Sequence, residues 1–243
     1  ASVVRVFSMK FHKMINVYKN VYAFITPSEF LKKKLSLNGF EEKRIHCIPT
    51  FTASKTTIGK QQIGSYGLYF GRVTEEKGVE TVIKAYEKLP EYTVKIMGDD
   101  TTDEAKRLKK YVENHKMKNV EFLGFKSGAE LENVIKGARF TLIPSIWYDN
   151  LPNTALESFQ YSKPVIASNI GSLPELVIDG ENGYLFKPSN VEDLIKKIKM
   201  LDDDTLVKKM GQASRKRLES RFAPQTHYED LMKIFNEAVK SRK

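Results

Sequence analysis

Asp149 and Glu157 lie eight positions apart in the stretch LIPSIWYDNLPNTALESFQYSKPVIASN, residues 142–169. Carboxylates accept hydrogen bonds from pairs of hydroxyls, so two of them at this spacing suit a sugar at one end and a ribose at the other. If helical throughout, the step spans about 12 Å, which leaves room for a diphosphate between them. Pro152, in the first turn of the expected helix, leaves the amides of Asn153 and Thr154 without intrahelical partners and available to a phosphate. Asn150 and Leu151 stand at the same helix mouth. Asp149 and Asn150 equally fit simple N-capping, the ordinary use of these residues before a helix, and the sequence leaves both readings open. Glu157, between Leu156 and Phe159, is expected to be partly buried, where a glutamate rarely stands without a partner. Complementary cations occur in YFGRVTEEKG, residues 69–78. Gly71 lets backbone approach a ligand, Arg72 offers a planar fork, and Lys77 a point charge beside a helix start. Together these are the parts of a pyrophosphate site. The competing reading pairs Arg72 with Glu75 or Glu76 on the surface, and no Walker pattern accompanies the motif.

Elements that can position these residues follow from the alternation of apolar runs and turn signals. From Ser65 onward, strands are expected at 67–73, 93–97, 120–123, 139–143, 165–168 and 184–186. Helices are expected at 78–89, 103–116, from Ser127 to 136, 151–162 and 173–177. Six strands alternating with helices predict an α/β fold, a Rossmann-like parallel sheet with helices on both faces. In such sheets ligands bind beyond the carboxyl ends of the strands. Gly98, and Gly124 followed by Phe125 and Lys126, stand at such ends, where small residues make room for a nucleotide or simply turn the chain. Trp147 and Tyr148 can wall a sugar or pack at the base of their loop. Residues 190–200 and 205–221 read as further helices, and Pro224 starts a separate one to about 240. Upstream, apolar positions from Phe7 to Tyr18 recur at helical spacing. Short strands are expected at 21–25 and 44–48, flanking a helix at 29–37 that Ser28 caps and Asn38-Gly39 ends. Two strands are too few for an independent sheet. Residues 1–50 are therefore expected to be the remnant of another domain, 51–64 a polar linker, 65–222 the main domain, and 223–243 a terminal helix.

Composition narrows the function classes. Hydrophobic residues make up 41% and charged residues 29% of the 243, as in globular proteins rather than disordered ones. No apolar run approaches a membrane span of about 20 residues. No secretory signal is evident, and Ala1 in place of an initiator Met points to a start partway through a longer protein. Cys47 is the only cysteine, a buried structural thiol by its apolar neighbours and compatible with a reducing cytoplasm. The four histidines show no metal-ligand spacing, so no metal is expected. Forty basic against thirty acidic residues give +10, a charge that attracts anions. It permits peripheral contact with the acidic inner face of a membrane. Basic side chains without interleaved aromatics on a sheet argue against nucleic acid as a partner.

Taken together, the motifs resemble those of the retaining glycosyltransferases of family 4, whose fold is GT-B. Four segments carry the likeness: Phe70-Gly71-Arg72 with Glu76-Lys77-Gly78; Ile96-Met97-Gly98-Asp99; Pro144 to Glu157; and Lys163 to Ala167 with GSLPE (171–175) and DGENGYLF (179–186). The resemblance covers 65–190, with matching flanks, and identifies that part with the C-terminal, donor-binding domain. It implies that Arg72 and Lys77 bind the pyrophosphate of a nucleoside diphosphate sugar and that Glu157 binds its ribose. Asp149 stands where the family usually has a glutamate that holds the transferred sugar. Gly71, Gly98, Phe125, Lys126, Asn150, Leu151, Asn153 and Thr154 are the implied nucleotide-binding set. No cofactor or metal is implied. The activity implied is transfer of a hexose-type sugar, from UDP or GDP, to a glycan or lipid-linked acceptor, as in polysaccharide biosynthesis. The family's acceptor domain, with its glycine-rich loop and histidine, has no counterpart here. A missing N-terminal domain, in cis or in trans, is therefore an expected partner, and the terminal helix is expected to cross back toward the remnant. The alternatives are a nucleotide-sugar epimerase or phosphorylase on the same architecture, or a non-catalytic nucleotide-binding subunit.

Overall fold

A computed structural model of the chain describes residues 2–15, 17–52 and 62–241. It begins with helix α1 (Ser2–Met14), a 3₁₀ turn at Val17–Asn20, strand β1 (Phe24–Thr26), helix α2 (Glu29–Leu37) and strand β2 (Ile45–Cys47). The first strand starts three residues later than its apolar pattern predicts. Val21 is held in the preceding turn, its amide donating a hydrogen bond to the Tyr18 carbonyl (3.2 Å), and pairing with β2 begins only at Phe24. Helix α2 has the predicted bounds, because the Ser28 hydroxyl accepts from the Leu31 amide at 3.2 Å and Gly39 turns out of it at φ +90°. Most of the expected linker, residues 53–61, lies outside the described residues.

The main sheet is built from β3 (Tyr66–Phe70), β4 (Thr93–Met97), β5 (Val120–Gly124), β6 (Ala138–Ile143), β7 (Val165–Ser168) and β8 (Gly183–Phe186). Every pairing is parallel, in the order β5-β4-β3-β6-β7-β8. Counted from β3 this is 3-2-1-4-5-6, the Rossmann order. The chain winds one way from β3 to β5 and the other way from β6 to β8. The crevice between the carboxyl ends of β3 and β6 is therefore the topological switch point, where open α/β sheets take their ligands.

The intervening helices are α3 (Val79–Glu87), α4 (Asp103–Asn114), α5 (Gly128–Gly137), α6 (Asn153–Gln160), the short α7 (Leu173–Leu176), α8 (Val191–Met200), α9 (Asp204–Arg221) and α10 (Pro224–Lys240). Alternation along each strand divides the core between the two faces. Tyr69 and Ile166 point to the side of α3, α4 and α8. Leu68 and Phe70 point to α5, while Val165 and Ala167 meet α6 and α7. Ser127 precedes α5 as expected, but its side chain makes no capping bond.

One buried cation ties the strand starts together. Lys163, 1% exposed, donates to the carbonyls of Gln62, Lys136 and Ala138 at 2.6–2.7 Å. An ammonium has three donors, and here all three are taken by backbone.

Helix α10 lies against the N-terminal residues. His227 Nδ1 and the Pro49 carbonyl are 2.8 Å apart, the Phe51 and His227 rings are 4.7 Å apart, and the Thr52 amide donates to the Phe222 carbonyl at 3.3 Å. The N-terminus of α2 is joined to the main sheet as well: Glu175 accepts from the amides of Glu29 (2.8 Å) and Phe30 (2.7 Å). Cys47, beside it on β2, is half-buried, and burial first and the nearby Glu29 second push its thiol up to about 12. That disposes of a thiolate nucleophile.

Candidate functional site

Strand β3 ends at Phe70, three residues before its predicted end, because Gly71 takes φ +147° and turns the chain. The amide of Gly71 donates to the Met97 carbonyl, and that of Gly98 to the Gly124 carbonyl, both at 3.0 Å. The three strand ends are thus locked side by side. A Cβ on Gly98 would stand 1.9 Å from the Gly71 carbonyl oxygen. Gly98 is small because the Gly71 backbone occupies the space that the sequence reading reserved for a nucleotide. Gly98→Ala should therefore push the Gly71-Arg72 turn outward. The expected result is a loss of about 1–3 kcal/mol of stability from overpacking, with weakened nucleoside diphosphate binding, read by urea unfolding and calorimetry.

Across the crevice, the loop after β6 is held against the Lys77 turn. The Ile146 amide donates to the Glu76 carbonyl at 3.0 Å. Gly78, at φ +66°, brings its backbone so close that a Cβ would lie 2.1 Å from the Pro144 carbonyl oxygen. This contact delivers Lys77 to Asp149, with Nζ 2.5 Å from Oδ1 and both side chains less than a fifth exposed. Ser145, itself 1% exposed, donates its hydroxyl to the other carboxylate oxygen, Oδ2. Asp149 is therefore not a helix cap. The loop backbone is fixed by Ser172, whose hydroxyl donates to the Asp149 carbonyl (2.6 Å) and accepts from the Leu151 amide (2.7 Å). Leu151 is buried at φ +57°, a left-handed conformation that only a well-determined surrounding holds.

The left-handed turn delays the next helix: α6 starts at Asn153, not Leu151, after Pro152 in the N-cap position with no side-chain cap. No described acceptor reaches the amides of Asn153 and Thr154, and their partial positive charge faces the crevice. Gly71, Arg72, Lys77, Ser145, Asp149, Asn150, Pro152, Asn153 and Thr154 line one cleft of about 240 Å³, closed below by Tyr69, Phe70 and Leu142.

Arg72 and Asn150 line the cleft, and the remaining expected residues lie outside it. Arg72 reaches solvent, 73% exposed and 3.8 Å from Glu76, a loose contact of the kind the competing reading foresaw. Glu157 lies one turn beyond Asn153 on α6 and does not line the cleft. It is half-buried with no hydrogen bond or ion pair from the described residues, and burial pushes its carboxyl up. Leu151 packs beneath the loop, in the core, rather than at the cleft surface. Phe125 is 75% exposed at the end of β5, two strands from β3, and Lys126 lies 3.7 Å from Glu130; neither lines the cleft. Asn150 accepts from Ser28 Oγ at 3.1 Å. Tyr148 packs on Phe30 with ring centres 5.0 Å apart, while Trp147 is 65% exposed. Sequence reasoning missed Ser145 and Ser172. Only the Pro144-Ser145 step, placed directly after β6, carried any signal for the first, and nothing local marks the second. Among the described residues no three His, Cys, Asp or Glu side chains gather as a metal site requires, and no helix is long and apolar enough to cross a membrane.

Known proteins share this architecture. The crystal structure of a glycosyltransferase from Rickettsia africae superposes with a TM-score of 0.84 at 20% identity, over 93% of this chain and 66% of that one. Anabaena HepE, in complex with UDP and glucose, gives 0.78 at 20% identity, over 88% and 63%. The α/β, Rossmann-like sheet of GT-B enzymes is thus the fold observed. In sequence, the chain is 30% identical over 174 residues to an uncharacterized glycosyltransferase of Methanocaldococcus jannaschii, covering 71% of this chain and 48% of the relative. It is 31% identical over 186 residues to a glycogen synthase of Mycobacterium tuberculosis, covering 72% and 42%. The chain thus spans about half the length of the curated relatives it matches, or less. Residues 54–217, more than half of the chain, match the model for glycosyl transferases group 1, and the chain belongs to that family.

Proposed function

We propose that this chain is the donor-binding part of a retaining glycosyltransferase that moves a hexose-type sugar from a nucleoside diphosphate to a glycan or lipid-linked acceptor. One observation carries the reading. Two cations, Arg72 and Lys77, converge with the unpartnered amides of Asn153 and Thr154 at the switch-point crevice. Charge on a leaving diphosphate develops beside these groups once the donor is bound, so they stabilise it there. With that charge met by side chains and amides, the reading calls for no metal. Glu157, unpartnered on α6, is assigned to the ribose hydroxyls. Asp149 is assigned to the sugar and the Gly71 turn to the backbone lining the diphosphate. The complex of Anabaena HepE with UDP and glucose supports a nucleoside diphosphate as ligand. A capsular polysaccharide biosynthesis glycosyltransferase of Staphylococcus aureus among the relatives supports the acceptor class. The working place is the cytoplasm, at the inner membrane face where lipid-linked acceptors lie.

A thermal-shift screen against UDP, GDP, ADP and their glucose conjugates tests the reading, because a ligand of the folded state raises the midpoint. Arg72→Ala is expected to weaken diphosphate binding about tenfold, the worth of one charge-assisted contact. Unchanged affinity by calorimetry removes Arg72 from the site.

A second reading, a nucleotide-binding subunit that needs an acceptor domain from elsewhere, is favoured by the N-terminal residues, whose described sheet has only two strands. It predicts nucleotide binding without transfer until an N-terminal partner is supplied.

A further inference from the structure

Both oxygens of the Asp149 carboxylate are already engaged: Oδ1 by Lys77 Nζ at 2.5 Å, Oδ2 by the hydroxyl of Ser145. Neither oxygen is without a protein partner. The Asp149 backbone is pinned too, its amide donating to the Trp147 carbonyl at 2.9 Å and its carbonyl accepting from Ser172 at 2.6 Å. The carboxylate can therefore move only about its own two side-chain torsions. Lys77 is on the opposite wall, in the turn that Gly78 and Glu76 hold against Pro144 and Ile146. The pair thus bridges the loops after β3 and β6 across the crevice, with both side chains largely withdrawn from water and little screened by salt.

We propose that Ser145, Asp149 and Lys77 form a latch opened by the donor, with Ser145 as its positioning residue. The proposal rests on the donor-binding reading above and adds how the site tells a sugar nucleotide from the bare diphosphate. A diphosphate that engages Lys77 takes it from Asp149. A bare nucleoside diphosphate opens the latch and leaves a carboxylate without its cation. A sugar nucleotide opens the same latch and offers its hydroxyls to the released oxygen. The cost of opening is common to both, and only the conjugate offsets it. Ser145 matters because its hydroxyl fixes the carboxylate in the orientation that meets Lys77 before binding and the sugar after it. The shorter Asp side chain keeps the carboxylate beside Ser145.

Two measurements on the wild type, Asp149→Asn, Ser145→Ala and Ser145→Thr test it. The first is calorimetry with UDP, GDP and ADP and with their glucose conjugates. Asp149→Asn is expected to bind the bare diphosphate about tenfold tighter and to lose the preference for the conjugate. Ser145→Ala is expected to change in the same direction by about threefold, the lower end for one net hydrogen bond. Ser145→Thr, which keeps the hydroxyl, restores the wild-type ratio. A purely structural Ser145 would instead weaken both ligands equally on alanine substitution, and that result overturns the proposal, as does unchanged or weaker diphosphate binding in Asp149→Asn. The second measurement needs no nucleotide: the acetylation rate of Lys77 by acetic anhydride, followed by peptide mass spectrometry. Lys77 should react faster in Asp149→Asn and Ser145→Ala than in wild type and Ser145→Thr. Equal rates in all four overturn the latch even if nucleotides bind. Graded rates in a protein that binds no nucleotide uphold the latch and overturn the donor reading alone.

Discussion

Replacing Glu157 with glutamine is expected to move stability and affinity in opposite directions. The carboxylate is half-buried on α6 with no described partner, and burial pushes its carboxyl above the ordinary 4.5. A glutamate raised in this way binds its proton more tightly in the folded state. Its contribution is therefore intact below pH 4.5 and is lost as pH rises through the folded value. At neutral pH the ligand-free wild type carries that penalty and Glu157→Gln does not. The unfolding midpoint of the variant should be higher, by about 2–4 °C for each kcal/mol relieved in a chain of this size, and the advantage should vanish below pH 4.5. A neutral amide cannot replace a carboxylate that accepts from two ribose hydroxyls. Affinity for a nucleoside diphosphate should fall about 10- to 100-fold, the loss of charge-assisted hydrogen bonding. A variant that melts lower than wild type without ligand, or binds nucleotide equally well, removes Glu157 from the proposed ribose site. Groups that lower stability while unliganded are characteristic of sites that evolved to bind.

Lys163→Met should be the most damaging stability change outside the cleft. Methionine fills a similar volume but leaves the carbonyls of Gln62, Lys136 and Ala138 without the ammonium that they share. The expected loss is about 3 kcal/mol or more, since each buried carbonyl left without a donor costs about 1–3 kcal/mol. Urea unfolding would measure it. Burial pushes the wild-type ammonium down to about 8 from an ordinary 10.5. Between those values the unfolded chain holds a proton that the folded chain has released, so the wild type gains stability with rising pH. The gap between wild type and Lys163→Met should therefore widen from pH 8 to 10.5. A constant gap would show that the charge state of Lys163 contributes nothing.

Neither effect is visible in the sequence, and the reasons are physical. Alternating apolar runs and helical spacing are local, so the six strands and the helices between them could be placed by pattern, with β4, β7 and α2 at the predicted residues. Boundaries failed where a backbone conformation decided them. Gly71 ends β3 early, and Leu151, a residue that rarely takes a positive φ, delays α6 by two positions. Lys163 carries no local signal of burial; only the fold brings three carbonyls from separate elements to it. The cleft was legible as a set of residues, since Arg72, Lys77, Asp149, Asn150, Asn153 and Thr154 do line it. Their pairing was not. A lysine and an aspartate 72 positions apart meet only through the crossing of two loops, so the sequence leaves Asp149 open between a helix cap and a ligand residue.

The capping of α2 by Glu175 has a consequence for the order of assembly. The two amides and their carboxylate are 146 and 145 residues apart. At ribosomal rates of 5–20 residues per second, the helix emerges about 7–30 s before its acceptor exists. Ser28 can close the first turn of α2 in the meantime, by accepting from the Leu31 amide. Until then α2 lacks its long-range cap and is open to chaperones. Its docking comes among the last events, after the strand that precedes Glu175 has joined the sheet.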